Sequence, residues 1–178
     1  DQATDTPTNN FATMNPLILG AGTTLSEGNL ILTPSTNATG FHSVATMGVT
    51  TGKWYWEAKL VSGTKGAFGI IFDGSTGNVF EHQRAAKMPG NLANGWGYKP
   101  GNNGNVETNG SDITFSGDTA TSSNVIGFAM DLDNDALYIH KDGTYMNSGN
   151  ATSGASKTGA IDISGGADGF VFPSYGDT

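Results

Sequence analysis

The run "NVIGFAMDLDNDALYIHKDG", residues 124–143, constrains the fold more than any other part of the chain. Ile126, Phe128, Met130 and Leu132 recur at every second position, and Leu137 and Ile139 do the same after the break at "DND". Side chains alternate between the two faces of a strand, so the pattern predicts two half-buried strands joined by a short turn. Asn134 and Asp135 tolerate positive φ and suit a hairpin loop. Asp131 and Asp133 then fall on the polar face, opposite the core residues.

The alternate aspartates also resemble the opening of a helix–loop–helix calcium site. That loop needs glycine at its sixth position for a sharp turn and a long, bidentate glutamate at its twelfth. Counted from Asp131, those positions hold Ala136 and Asp142. Both requirements fail, and the flanks have strand periodicity. The hairpin is the reading adopted, with no metal expected; a weaker site among exposed carboxylates is the remaining metal alternative.

Other segments repeat the strand signature. In "GKWYWEAKLVSG", residues 52–63, Trp54, Trp56, Ala58 and Leu60 share one face, read as core. Lys53, Tyr55, Glu57 and Lys59 share the other, read as solvent-facing. "GAFGIIFDG", 66–74, is a nearly continuous apolar run, as expected of a strand buried on both faces. "LSEGNLILT" reads as a strand entered through a Glu-Gly-Asn turn. "HSVATMGVT", "GWGYKPG", "DITFS", "AIDIS" and "GFVFPSYG" read as further strands, 101–112 as a Gly/Asn loop and 75–95 as irregular. The expected count is nine or ten short strands with no convincing helix, which is an all-β chain folded as an antiparallel β-sandwich. Residues 1–16, with Pro7 and Pro16 and no periodicity, read as an extended arm anchoring Phe11 and Met14; the sandwich is expected over 17–178. The start at Asp1 and the polar ending "FPSYGDT" read as a processed product or a piece of a longer protein.

Composition excludes several function classes. The net charge is −8 and no basic stripe exists, so nucleic acid is not an expected partner. No apolar run approaches the roughly 20 residues that span a bilayer, so no membrane insertion is expected. Cysteine is absent, which removes disulfides and thiolate metal sites. Glycine accounts for 27 residues and charged groups for only 13 %, which suits short strands joined by many polar turns.

The order "TGKWYWEAKL", "GAFGIIF", "GWGYKPG", "NVIGFAMDLDNDALYIHKDG" and "GFVFPSYG" resembles the SPRY domain over roughly residues 40–176. The pair formed by "GKWYWE" and the 124–143 hairpin is its most specific part. The resemblance implies a concanavalin A-like jelly roll that binds partners, usually protein and sometimes glycan, without catalysis or a cofactor. The opening "TPTNNFATMNPL" with "LSEGNL" is similar to the lead-in of SPRY modules in bacteriophage and prophage virion proteins. It implies a tail fibre, spike or capsid decoration, oligomeric within a larger assembly. Its partners would be other virion proteins, copies of itself or a host-surface glycan. The alternative is a lectin-like module of a secreted bacterial protein. The family usually carries one more strand after "FPSYG", so the sandwich is expected to be completed by a strand from beyond Thr178 or from a neighbouring subunit.

Glycosidases on related sandwiches set acid and nucleophile carboxylates close together on one strand. The only glutamates here are Glu27, Glu57, Glu81 and Glu107, and none lies in such a pattern. His42, His82 and His140 are far apart and form no zinc motif. No catalytic residue is therefore expected. Candidate binding residues are His82 and Arg84, near Lys87 in the irregular 75–95 segment, with Trp96 and Tyr98 just after. Aromatic residues and arginine are enriched at binding hot spots, and aromatic faces stack on sugars. The competing reading puts Trp96 and Tyr98 in the core and His82, Arg84 and Lys87 in a solvated loop. The matches to the glycan-acceptor pattern at Asn37, Asn109 and Asn150 arise readily in an Asn/Ser/Thr-rich chain. The hairpin reading predicts that a chelator titration leaves the melting temperature unchanged; a calcium-dependent loss would restore the metal loop.

Overall fold

The computed structural model describes residues 11–34, 41–63, 66–74, 87–91, 93–166 and 169–177. Two antiparallel sheets pack face to face, and thirteen strands are described. One sheet is built from β4 (Lys53–Ala58), β9 (Ile126–Asp131), β10 (Ala136–Lys141) and β11 (Thr144–Tyr145), in the order β11-β10-β9-β4. The short β12 (Ile161–Asp162) also pairs with β10, making five strands. The second sheet contains β3 (Phe41–Val44), β5 (Ala67–Asp73), β6 (Gly95–Lys99), β7 (Asn105–Thr108), β8 (Ser111–Asp112) and β13 (Phe170–Asp177). Its order is β3-β13-β5-β6-β7-β8. The antiparallel β-sandwich expected from the sequence is the observed fold.

The 124–143 hairpin forms in the expected register. Met130 lies opposite Leu137, and Phe128 opposite Ile139. All four side chains are buried between the sheets with Ile70, Tyr98 and Val106. The turn uses Asp135 at φ 49°, as the Asn/Asp pair at its tip suggested. A second tight turn, Asp142–Gly143, joins β10 to β11 with φ values of 50° and 83°; two positive φ values are what a two-residue primed hairpin requires. The aspartates are engaged in hydrogen bonds. Asp133 accepts from the Gly52 amide at 3.0 Å, and Asp142 accepts from Asn124 Nδ2 at 2.6 Å and the Val125 amide at 2.8 Å. Asp142 is held below the ordinary carboxylate range first by the Val125 amide and then by Asn124.

β5 is buried on both faces for a specific reason. On the inner side Phe68, Ile70 and Phe72 join the main core. On the outer side Ile71 packs with Val44 and with Ile18, which the segment leading into the sandwich lays over the sheet. That segment is pinned by backbone hydrogen bonds from Asn15 to Val44 (2.8 Å) and from Thr46 to Thr13 (2.7 Å), and Gly20 donates to Ser43 Oγ at 3.2 Å. Met14 bridges Ala45 and is half-buried, whereas Phe11 is exposed.

Three expectations change. "LSEGNLILT" is a hairpin, not a single strand: β1 (Thr23–Ser26) and β2 (Ile31–Pro34) pair around a turn with Glu27, Gly28 and Asn29 all at positive φ. The 101–112 loop contains β7, because Val106 reaches the core opposite Tyr98. Trp54 is 45 % exposed instead of core. It has the inward phase, but it sits on an edge strand, and its indole N–H turns back to the Thr51 carbonyl at 2.8 Å. The closing strand β13 pairs with β3 on one side and β5 on the other. Phe128→Ala removes a fully buried ring that stacks on Trp56 at 5.1 Å. It should cost about 3–5 kcal/mol in urea unfolding; a loss below 1 kcal/mol, on the order of a surface change, would contradict this core.

Candidate binding face on the five-stranded sheet

Register decides which side chains meet on the outer face of the five-stranded sheet. The cross-strand sets are Lys53, Asp131 and Ala136; Tyr55, Ala129 and Tyr138; and Glu57, Gly127 and His140, with Tyr145 beside His140 on β11. All carry the opposite phase to the core residues, as period-2 alternation requires.

His140 is the centre of this face and is 6 % exposed. Its seat exists because β9 has glycine at 127: a Cβ there would lie 1.9 Å from His140 Nε2. Tyr55 stacks on the imidazole at 5.8 Å and 14°, and Tyr145 meets it edge-on at 5.3 Å and 77°. The Gly143 amide donates to His140 Nδ1 at 3.0 Å, so Nδ1 is an acceptor and the neutral ring carries its proton on Nε2. Nε2 then donates to the Tyr55 hydroxyl oxygen at 2.8 Å, and that hydroxyl donates to Glu57 Oε1 at 2.6 Å. The hydrogen bond to Glu57 leads in pushing the Tyr55 hydroxyl up to about 12, so it stays protonated as the donor. The chain of donors holds in place an aromatic ring that is 54 % exposed.

Beside this cluster, the segment 146–160 folds over β10. Tyr138 is covered by it and shares a hydrogen bond of 3.0 Å with Ser153 Oγ. A cleft of about 220 Å³ remains between this cover and β4, lined by Lys53, Trp54, Tyr55, Asp131, Tyr138 and Ala151, with Ala129 and Met130 as the other lining residues. Lys53 and Asp131 are ion-paired. The ammonium holds the Asp131 carboxyl below its ordinary range, helped by Asn134 Nδ2 at 2.9 Å on the same oxygen. The other oxygen, Oδ1, is buried without a hydrogen-bond partner.

The binding residues expected from sequence are distributed differently. Trp96 and Tyr98 do share a face, but it is the inner face of β6, where they are 4 % and 1 % exposed. Trp96 meets Phe72 edge-on at 5.8 Å, and the Tyr98 hydroxyl donates to the Asp118 carbonyl. Neither offers a ring face to a ligand, because β6 is interior to its sheet; the core alternative is the correct one for this pair. His82 and Arg84 lie outside the described residues. Lys87 is exposed. Tyr55, His140 and Tyr145 were not singled out from sequence, although the outward phase of Tyr55 was read correctly. The available signal was Tyr138 and His140 recurring on the outward phase of β10. Among the described residues no three His, Cys, Asp or Glu side chains gather as a metal site, and no helix is long and apolar enough to cross a membrane. The ring assignment is checked by ¹⁵N NMR of the histidines: His140 should show a protonated Nε2 near neutral pH, and a protonated Nδ1 would break the donor chain.

No family model matches the chain, and no curated protein matches it in sequence. Solved structures do match in fold. The crystal structure of the TRIM65 PSpry domain aligns with a TM-score of 0.61 at 12 % identity, covering 92 % of this chain and 85 % of that one. The SPRY domain of human HERC1 aligns with a TM-score of 0.57 at 15 % identity, covering 92 % of this chain and 89 % of that one. The chain therefore has a SPRY-type, concanavalin A-like β-sandwich fold.

Proposed function

We propose that this chain is a non-catalytic binding module of a virion protein, which contacts its partner through the outer face of the five-stranded sheet. The observation that carries the reading is the uncovered ring of Tyr55 on the edge strand β4, which is 54 % exposed and held in one orientation by His140 and Glu57. A pre-ordered aromatic ring contributes contact area at little entropic cost, which is the property of a binding hot spot. The SPRY-type fold is consistent with a role in contacts. The virion assignment draws on the similarity of the opening "TPTNNFATMNPL" and "LSEGNL" to phage lead-ins, and on a surface of low charge and many polar turns. Phe11 in the arm and Leu17 at the head of the sandwich, 50 % and 84 % exposed, offer apolar side chains to a neighbouring subunit. A tail fibre, spike or capsid decoration would place the module on the particle surface, in several copies.

A lectin-like module of a secreted protein is the second reading, favoured by the cleft that opens beside Tyr55. Particles purified from the source culture separate the two. An antibody against the chain should label them at symmetric positions, and mass spectrometry should find the chain in stoichiometric amount. Its absence from particles, with the chain recovered free in the medium, would replace the virion reading with the secreted one.

A further inference from the structure

We propose that the free edge of β4 pairs antiparallel with β4 of a second copy of this chain, symmetric about Tyr55, so that the two five-stranded sheets continue as one. This names a partner for the contact module above and rests on that reading.

The edge supplies the first argument. β4 ends its sheet's order, and among the described residues no strand pairs on its other side. It has six residues, against four in β3 and two each in β8 and β11, which makes it the longest edge strand described in the sandwich. The Leu132 amide donates to the Gly52 carbonyl at 3.0 Å, so Gly52 turns its backbone groups to β9. Along an antiparallel strand the positions bonding one neighbour and the other alternate. Trp54, Trp56 and Ala58 therefore also bond β9, while Lys53, Tyr55 and Glu57 turn their N–H and C=O groups to the free edge. Such a row is a template for another strand. No proline or bulge blunts it, since the pairing with β9 runs unbroken from Lys53 to Ala58.

The side chains leave that row open. Lys53 pairs with Asp131 on β9, and the Tyr55 ring reaches over β9 to stack on His140 of β10. Both lie over their own sheet, away from the edge.

Charge and phase choose a second copy and its register. With Tyr55 on the two-fold axis, Lys53 faces Glu57 of the other copy and Glu57 faces its Lys53, so opposite charges meet twice. Each N–H and C=O that Lys53, Tyr55 and Glu57 turn to the edge then has a partner. Centring the pair on Lys53 or Glu57 sets like charges together, and centring it on Trp56 sets Lys53 against Lys59. Centring it on Trp54 leaves both charges without an opposite. An axis between two residues would put the outer faces of the two sheets on opposite sides.

The pairing also accounts for Trp54, which has the inward phase yet is 45 % exposed. In this register it stands opposite Trp56 of the other copy, in a non-hydrogen-bonded pair, where cross-strand side chains are closest. A two-fold contact of one surface with itself closes at a dimer.

The test is sedimentation velocity on the full chain from about 1 μM to about 1 mM. The native chain should pass from monomer to dimer within that range. Lys53→Glu and Glu57→Lys each set like charges against each other at both pairs, and each should weaken the dimer by about tenfold or more. An equal mixture of the two variants matches both pairs again and should recover the association as a heterodimer. Tyr55→Phe drops the hydrogen bond to Glu57 but keeps the edge, and should associate as the native chain does. The proton spectrum of each variant verifies its fold. If Lys53→Glu, which loses its ion pair with Asp131, does not fold, the contrast between Glu57→Lys and Tyr55→Phe decides. A chain that stays monomeric throughout overturns the pairing, as does a dimer that folded Glu57→Lys leaves intact. A mixture of folded variants that stays monomeric, or a dimer lost in folded Tyr55→Phe, overturns it too. Particle labelling is read separately: labelled particles with a monomeric chain remove the pairing alone, and a dimer without labelling removes the virion reading alone.

Discussion

Met130 lies opposite Leu137 and Phe128 opposite Ile139, and this pairing sorts every side chain of the five-stranded sheet. A slip of one residue between β9 and β10 would send those apolar groups outward and bring Tyr138 and His140 into the core. The cost of exposing the core set makes the register effectively unique. β4 then adds to β9 with Trp56 opposite Phe128, where the rings stack nearly parallel at 7°. The outer face is the other half of the same constraint. Tyr55, Tyr138, His140 and Asp131 point outward because their neighbours must point in.

Once outward, these groups were sorted by what covers them. β10 lies inside its sheet and beneath the 146–160 segment, so Tyr138 is buried and its hydroxyl is matched by Ser153. β4 is the last strand in its sheet's order, so Tyr55 keeps much of its surface, as does Trp54 on the opposite face. His140 lies between these cases. It is buried by two aromatic rings and by the space that Gly127 leaves, and each of its ring nitrogens has a partner. The result is a rigid, half-exposed aromatic surface built from cross-strand neighbours that lie far apart in the chain.

Strand positions and their phases were legible wherever apolar residues alternate strongly. The 124–143 hairpin, the buried run at 66–74 and the outward phase of Tyr55 were all readable, because period 2 follows from strand geometry alone. Shorter strands were less readable. β7 was hidden in "GNNGNVET", since one buried valine among polar neighbours leaves no period. The turn at Glu27, Gly28 and Asn29 was read, but β1 before it was missed, because "TTLS" holds one apolar residue and leaves no period.

The binding face was the least legible part. Trp96 and Tyr98 drew notice as an aromatic pair, yet an aromatic pair in a strand says nothing of whether that strand is central or at an edge. The amino-acid sequence by itself determined the all-β class, the hairpin register and the inward or outward phase of the long strands. These follow from the alternation of side chains and from which residues tolerate a turn. Only the tertiary structure decided that Trp54 is exposed and Trp96 buried, that His140 meets Tyr55, and that Asp131 retains an unmatched oxygen beside a cleft. Those outcomes depend on strand order and on what packs over each face, which are set by contacts between residues distant in sequence and leave no local period to read.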